Sequence, residues 1–337
     1  MRNRSLNILI IVSFSLFTQS VFAWGNLGHE TVGEIAERHL SAKAKRFVRQ
    51  IVGIEPLSTS ATWPDQVRSD SRFAGYDTFA SYHFTTIPYG YTFDTIPSTR
   101  LVKKDSHTIL SKVPKLLLDP NVSIEIRQIW YRYLVHVVGD VHQPFHVGAG
   151  WDRGANLCKI NWQPSETDKA QTKNLHSIWD EEIPQDFKND WLKAGGKGWF
   201  GYFQLADMLL AGVKENSTTP NNDLVDLPAE AWYAESQDLH KFAYPGYRKD
   251  LHPKDRPYCY YIDPDTDEFH AENFDKEQIP TADRAYIDQA KNIVKKRIVL
   301  AGLRLAAVLN ETAELAPKEL LNRKRESSLL QKAQLEN

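Results

Sequence analysis

Residues 123–146 read SIEIRQIWYRYLVHVVGDVHQPFH and constrain the fold more than any other stretch of the chain. Ile126, Ile129, Trp130, Tyr133, Leu134, Val137, Val138 and Val141 recur at helical spacing, which predicts one helix packed into a core. Ser123 is placed to cap its start and Pro144 to end it. His136 and Asp140 stand four residues apart inside this apolar run, so both side chains project from one helical face.

Other segments repeat the helical period. Leu27, Val32, Ile35, Ala36 and Leu40 mark a helix over 27–40, and Ser41 caps a second that runs to Gly53. Further helices are expected around 198–214, from near Pro228, and over about 282–309, where Ile287, Ala290, Ile293, Val294, Ile298, Ala301 and Leu305 form one stripe. Between them lie long loops at 84–105, 143–175 and 245–280. No repeat, low-complexity run or linker divides the chain, so the expectation is one all-α domain, 24–311, with a charged tail at 312–337.

Residues 1–23 do not fit that domain. Arg2 and Arg4 precede an apolar run, and Val21-Phe22-Ala23 offers a small-x-small cleavage site, which together read as a secretory signal. No later run is long and apolar enough to span a bilayer, so an exported protein without a membrane anchor is expected, periplasmic or secreted. The formal net charge is −2 and falls to about −4 without the two leader arginines, which disfavours nucleic-acid binding by global charge. Cys158 and Cys259 are the only cysteines, too few for a zinc-thiolate cage but able to form one disulfide after export. Asn121, Asn216 and Asn310 begin matches to the glycosylation pattern.

The chemistry lies in histidines and aspartates. NLHSIWDEE places His176 and Asp180 at the same i, i+4 separation as His136 and Asp140. Neutral imidazole and carboxylate are zinc donors, and a helical i, i+4 pair presents two of them to one ion. A single such pair is more often a surface contact; two in one chain, with His146 just beyond Pro144, favour metal binding. TWPDQVR offers Asp65 with Arg68 nearby, and SYHFT places His83 among aromatic residues. Alone, Asp65 reads as a helix N-cap and His83 as a core histidine.

As an ordered set these residues mean more. Trp24 with His29, WPD at 63–65, YHF at 82–84, HVVGDVHQPFH at 136–146, RGAN at 153–156, LHSIWD at 175–180 and IVLAGLRLAAVLN at 298–310 resemble the zinc-dependent S1/P1 nuclease family. The resemblance spans 24 to about 310 and implies a multi-helix bundle of the phospholipase C/P1 nuclease type, with long loops around a trinuclear zinc cleft. It also implies three Zn²⁺ ions. One would lie on Asp65, His83 and His136, with Asp140 bridging to a second. That second ion would take His29 and the backbone amine and carbonyl of Trp24, the first mature residue. The third would lie on His146, His176 and Asp180. Six positive charges against three carboxylates would make the pocket cationic in a mildly acidic protein.

The implied activity is endonucleolytic hydrolysis of single-stranded DNA and RNA to 5′-phosphate products, with nucleotides as further substrates through a 3′-nucleotidase activity. Paired zinc ions would activate water, and Arg68 would stabilise charge on the phosphoryl oxygens. Phe84 would stack on a base and Asn156 would contact substrate or shape its loop. Fungal members carry an acidic residue two positions after that aromatic, where Thr86 stands here, so base preference does not transfer. His142 matches no ligand position. The cysteine usage suggests a bacterial member, and no obligatory protein partner is evident. A zinc-dependent phospholipase C and a non-catalytic exported zinc-binding protein are the alternatives.

Overall fold

The computed structural model describes residues 24–73, 75–88, 90–98, 104–148, 150, 152–215, 225, 228–245 and 279–321. The expected leader at 1–23, most of the 245–280 loop, Asn216, Cys259 and residues 322–337 of the expected tail lie outside them.

Helices dominate: α1 (Asn26–His39), α2 (Ala42–Val52), α3 (Leu57–Ser69), α4 (Ser106–Leu118), α5 (Ile124–Asp140), α6 (Leu175–Ser177), α7 (Ile183–Lys193), α8 (Tyr202–Glu215), α9 (Ala229–Asp238), α10 (His240–Ala243), α11 (Arg284–Glu314) and α12 (Lys318–Leu321). A π-helical stretch, Ile178–Glu182, joins α6 to α7 without a break. Strands are short. Thr85–Thr86 pairs in parallel with Val147–Gly148, and Lys159–Trp162 lies between Gln171–Asn174 and Thr281–Ala282.

Side-chain caps set the helix starts. Ser41 accepts from the Ala44 amide, Ser123 from Ile126, Asp105 from Thr108 and Asp283 from Tyr286. Gly53, at φ 75°, follows α2 in a conformation that a side chain would resist. Helix α5 ends at Asp140, four residues before Pro144, which instead opens a 3₁₀ turn over Pro144–His146. Helix α11 runs on to Glu314, with Thr312 and Ala313 buried.

Three helices, α3, α4 and α7, go beyond what periodicity indicates. Pro64 and Pro114 lie inside α3 and α4 rather than at their ends. Asp65 is therefore a mid-helix residue, not an N-cap. Packing of α3 between α1 and α5 outweighs the cost of the interior proline.

Helix α5 forms the axis of the core, with Tyr131 and every residue from Tyr133 to Asp140 buried. Helix α1 packs against α3 and α11 at glycine-sized separations. A Cβ on Gly33 would sit 2.6 Å from the Ser58 amide, and one on Gly302 would sit 2.5 Å from Ile35 Cγ2. Asn310 ties α11 to α2: its side chain accepts from the Ser41 amide and donates to the His39 carbonyl.

Glu55 joins the α2–α3 loop to α5. It accepts from Arg132 Nε at 2.9 Å and Nη2 at 2.6 Å, and from the Ser60 hydroxyl. Burial alone would raise its carboxyl, but Arg132 and Ser60 bring it below the ordinary value of 4.5. Because the folded value is depressed, the stabilisation is complete above about pH 4.5 and is lost as pH falls through the folded value. Glu55→Gln should therefore lower Tm by roughly 2–4 °C at pH 7, about 1 kcal/mol in a domain this size. The difference from the parent should shrink below pH 4 in thermal scans.

A buried histidine and aspartate site

Five segments converge at the end of α5. Helix α1 brings His29 one turn from its start, α3 brings Asp65 and Arg68, and the 3₁₀ helix Tyr76–His83 ends on His83. Helix α5 contributes His136 and Asp140 and the turn beyond it His146, while the α6–π segment supplies His176 and Asp180. These five histidines and three aspartates are almost fully buried, none above 4 % exposed.

Asp140 faces two ways. Its Oδ1 lies 3.2 Å from His29 Nε2, and its Oδ2 lies 3.1 Å from His136 Nε2 and 3.3 Å from His83 Nδ1. Asp65 Oδ1 approaches His83 at 3.6 Å and His136 at 3.8 Å, and the His29 and His136 rings stack at 4.0 Å. Beside this cluster, His176 Nε2 lies 3.1 Å from both His146 Nε2 and Asp180 Oδ2. Three sets have their donor atoms within 4.8 Å of one another: His29, Asp65 and His136; His83, His136 and Asp140; and His146, His176 and Asp180.

Backbone carbonyls fix the imidazole tautomers. His136 Nδ1 donates to the Ala61 carbonyl at 2.6 Å, His146 Nδ1 to that of His83 at 2.7 Å, and His176 Nδ1 to that of Gly154. With Nδ1 carrying the proton, each neutral ring turns a lone pair on Nε2 toward its neighbours. His146 and His176 thus aim two lone pairs and the Asp180 carboxylate at one point. Both ring nitrogens of His29, His83 Nε2, Asp65 Oδ1, both oxygens of Asp140 and Asp180 Oδ2 have no hydrogen-bond partner among the described residues. Buried polar atoms seldom stay unpaired, and electron-pair donors converge stably only on a cation. The donor set of nitrogen and carboxylate oxygen fits zinc.

Burial also sets the charges. It holds the His29, His83 and His146 imidazoles well below their ordinary range, assisted by the neighbouring histidines. The same desolvation pushes the Asp65 carboxyl up to about 7 and Asp140 well above its usual value. At His176 burial acts downward, but Asp180, the Gly154 carbonyl and Asp152 together outweigh it, so this imidazole is raised. Neutral imidazoles are the form that ligates metal, and a bound cation would return the carboxylates to their charged form.

Several supporting residues escape sequence reasoning. A Cβ on Gly139 would sit 2.9 Å from His29 Nδ1, so only glycine lets α1 bring its histidine against α5. A glycine inside so apolar a helix was the one available signal. The Gly139 carbonyl accepts from the indole of Trp24, which is fully buried, and the Gly25 amide donates to the Asp180 carbonyl at 2.7 Å. Gln143 donates to Asp180 Oδ1 at 2.7 Å. Arg153, Gly154 and Ala155 are successive left-handed residues, at φ 53°, 60° and 62°. This costly turn aims the Gly154 carbonyl at His176, and a Cβ on Gly154 would collide with the Phe145 carbonyl.

The remaining candidates lie around the cluster. Arg68 Nη2 is 3.7 Å from Asp65 Oδ1 and partly accessible. Phe84, adjacent to His83, is 39 % exposed. Asn156 donates to the Arg153 carbonyl and leaves its Oδ1 unpaired among the described residues. His142, unassigned from sequence, is buried away from the donor sets and bonded to Val138 and Arg304. Cys158 is fully buried. Among the described residues no helix is long and apolar enough to cross a membrane.

Known proteins share this arrangement of sequence. Residues 24–314 match the family model for S1/P1 nuclease. The chain is 28 % identical to Nuclease S1 of Aspergillus oryzae over 218 residues, covering 61 % of this chain and 68 % of that one. It is 26 % identical to Endonuclease 1 of Arabidopsis thaliana over 329 residues, 90 % of each chain. Nuclease P1 of Penicillium citrinum is 30 % identical over 173 residues, 48 % of this chain and 58 % of its own length. With the match running from Trp24 through the last residue of α11, the chain belongs to the S1/P1 nuclease family.

Proposed function

We propose that this protein is an exported zinc-dependent nuclease that hydrolyses phosphodiester bonds of single-stranded DNA and RNA to 5′-phosphate products, with 3′-nucleotidase activity on nucleotides. The observation that supports it best is the convergence of unpaired imidazole and carboxylate atoms, at two adjoining places, beside an accessible arginine and an exposed aromatic ring. The names of the relatives agree with nuclease chemistry.

This reading assigns three zinc ions to the donor residues. Asp65, His83, His136 and Asp140 would hold one. Asp140 and His29, with the amine and carbonyl of a mature N-terminal Trp24, would hold the second. His146, His176 and Asp180 would hold the third. When bound, such ions supply Lewis acidity toward a phosphoryl group and lower the pKa of water.

The protein's own groups then have distinct tasks. Asp140 places one carboxylate oxygen toward each side of the paired site, which keeps the two sides at a fixed separation. The carbonyls of Ala61, His83 and Gly154 hold their imidazoles in orientation, so no reorganisation is needed when substrate arrives. Arg68 is near enough to Asp65 to reach a phosphoryl oxygen at the same site and offset the charge gathering there. Phe84 offers a face on which an unstacked base can lie, which favours single strands over duplex. Asn156 Oδ1, buried and without a partner among the described residues, is the group that would accept from a sugar or base.

Asp140→Asn should abolish turnover and reduce bound zinc, leaving one ion on His146, His176 and Asp180. A count of three by metal analysis would contradict the bridging role. Gly139→Ala should displace His29 and lower the zinc content by one with at least a tenfold loss of kcat, in a protein that still unfolds cooperatively. Protein that retains Ala23 should lose most of its activity on single-stranded DNA, because the Trp24 amine is then an amide and no longer a ligand. Release of nucleotides from single-stranded DNA or RNA, compared with turnover of phosphatidylcholine, separates the nuclease from a phospholipase C. No release by zinc-replete protein would favour zinc storage.

A further inference from the structure

The turn that follows α5 links the two donor groups. Asp140 lies at its start, Gln143 reaches Asp180, and His146 closes it. A helix C-terminus leaves its last carbonyls unpaired, and here those carbonyls have named partners. The Val138 carbonyl takes the His142 Nδ1 proton at 2.7 Å, and Gly139 takes the Trp24 indole. The Val141 carbonyl accepts from the Ser236 hydroxyl at 2.6 Å, and that of His142 accepts from Arg297 Nε at 2.9 Å.

Behind this turn stand two arginines of α11. Arg304 is completely buried and Arg297 is 5 % exposed. Both bond to Glu235 of α9, Arg297 at 2.6 Å and Arg304 through two bonds at 2.7 Å. Arg304 Nη1 also lies 2.8 Å from His142 Nε2, to which it donates, because His142 Nδ1 already carries the ring proton. Arg297 Nη2 donates to Ser236. Burial pulls the Arg297 guanidinium down to about 10, opposed by Glu235. Two buried guanidinium groups sharing one carboxylate are a poor way to stabilise a fold, since apolar residues of similar volume serve as well or better. Arg297 Nε and Arg304 Nη1 also donate into the turn, where a cation complements the helix C-terminus.

We propose that Arg304, with Arg297 and Glu235, is a positioning group for the active site, acting through His142 on the 141–143 turn and so on the relation of Asp140 to His146 and Asp180. This inference rests on the reading of those three residues as zinc ligands. Arg304 touches neither metal nor substrate. It fixes the His142 ring, Arg297 and Ser236 fix the carbonyls on either side, and Gln143 transmits the arrangement to Asp180.

The test is a double-mutant cycle with Arg304→Met and His142→Ala in full-length processed protein. Zinc affinity is read by competition with a chromogenic chelator, and kcat and KM on single-stranded DNA. Each single variant should bind its weakest zinc 10–100-fold less tightly and lose about 100-fold in kcat, with KM changed by less than about threefold. The double variant should be no worse than the worse single one, since both changes break the same link. Losses that multiply in the double variant, or folded single variants with parental affinity and kcat, overturn the proposal. Should Arg304→Met fail to fold, Glu235→Gln decides: a correlated loss in affinity and kcat supports the positioning role, and parental values in both refute it. Should the parent bind zinc but cleave no nucleic acid, the nuclease reading fails while the affinity cycle still tests the link.

Discussion

The structure depends on concentrating carboxylates and imidazoles in near-complete burial. Asp65, Asp140 and Asp180 lie among five histidines at the heart of a helical core, and burial opposes the charge of every one of those carboxyls. Backbone carbonyls hold the outer faces of His136, His146 and His176, while both ring nitrogens of His29, His83 Nε2 and both oxygens of Asp140 have no hydrogen-bond partner among the described residues. A fold that arranges lone pairs in this way is complete only with positive charge among them. Helix positions, carbonyl directions and glycine contacts follow from the need to hold donors together without letting them move apart.

Three kinds of device meet that need. Covalent spacing does part of it, because His136 with Asp140 and His176 with Asp180 share a helical face. Backbone carbonyls do another part by fixing which imidazole nitrogen carries the proton. Close approach does the rest. Gly139 admits His29 to the side of α5, and the left-handed turn at Arg153–Ala155 brings a carbonyl to His176 at a backbone cost that apolar packing alone would not require.

The parts legible in sequence were those with local periodicity. The α5 stripe, the Ser41 and Ser123 caps, the long C-terminal helix and both i, i+4 pairs follow from spacing alone. Helices α3 and α4 were not legible, because Pro64 and Pro114 read as breakers whereas packing from neighbouring helices carries the backbone through them. Pro184 stands in the first turn of α7, a start signal of the kind proline gives. Which donors share a site is not local information. His29 meets Asp140 across more than a hundred residues, and only the ordered set of motifs pointed to their meeting. The carbonyl partners were invisible for a simpler reason: every residue has a carbonyl.

The first helix has one further consequence, for the order in which the molecule forms. Helix α1 packs against α11 at the Gly302–Ile35 contact, while Trp24 and Gly25 bond to residues 139 and 180. None of these partners exists when α1 leaves the ribosome, and the long sequence separations make the contacts slow to find. Seating His29 beside Asp140 therefore requires contacts of long sequence separation, the kind that form slowly.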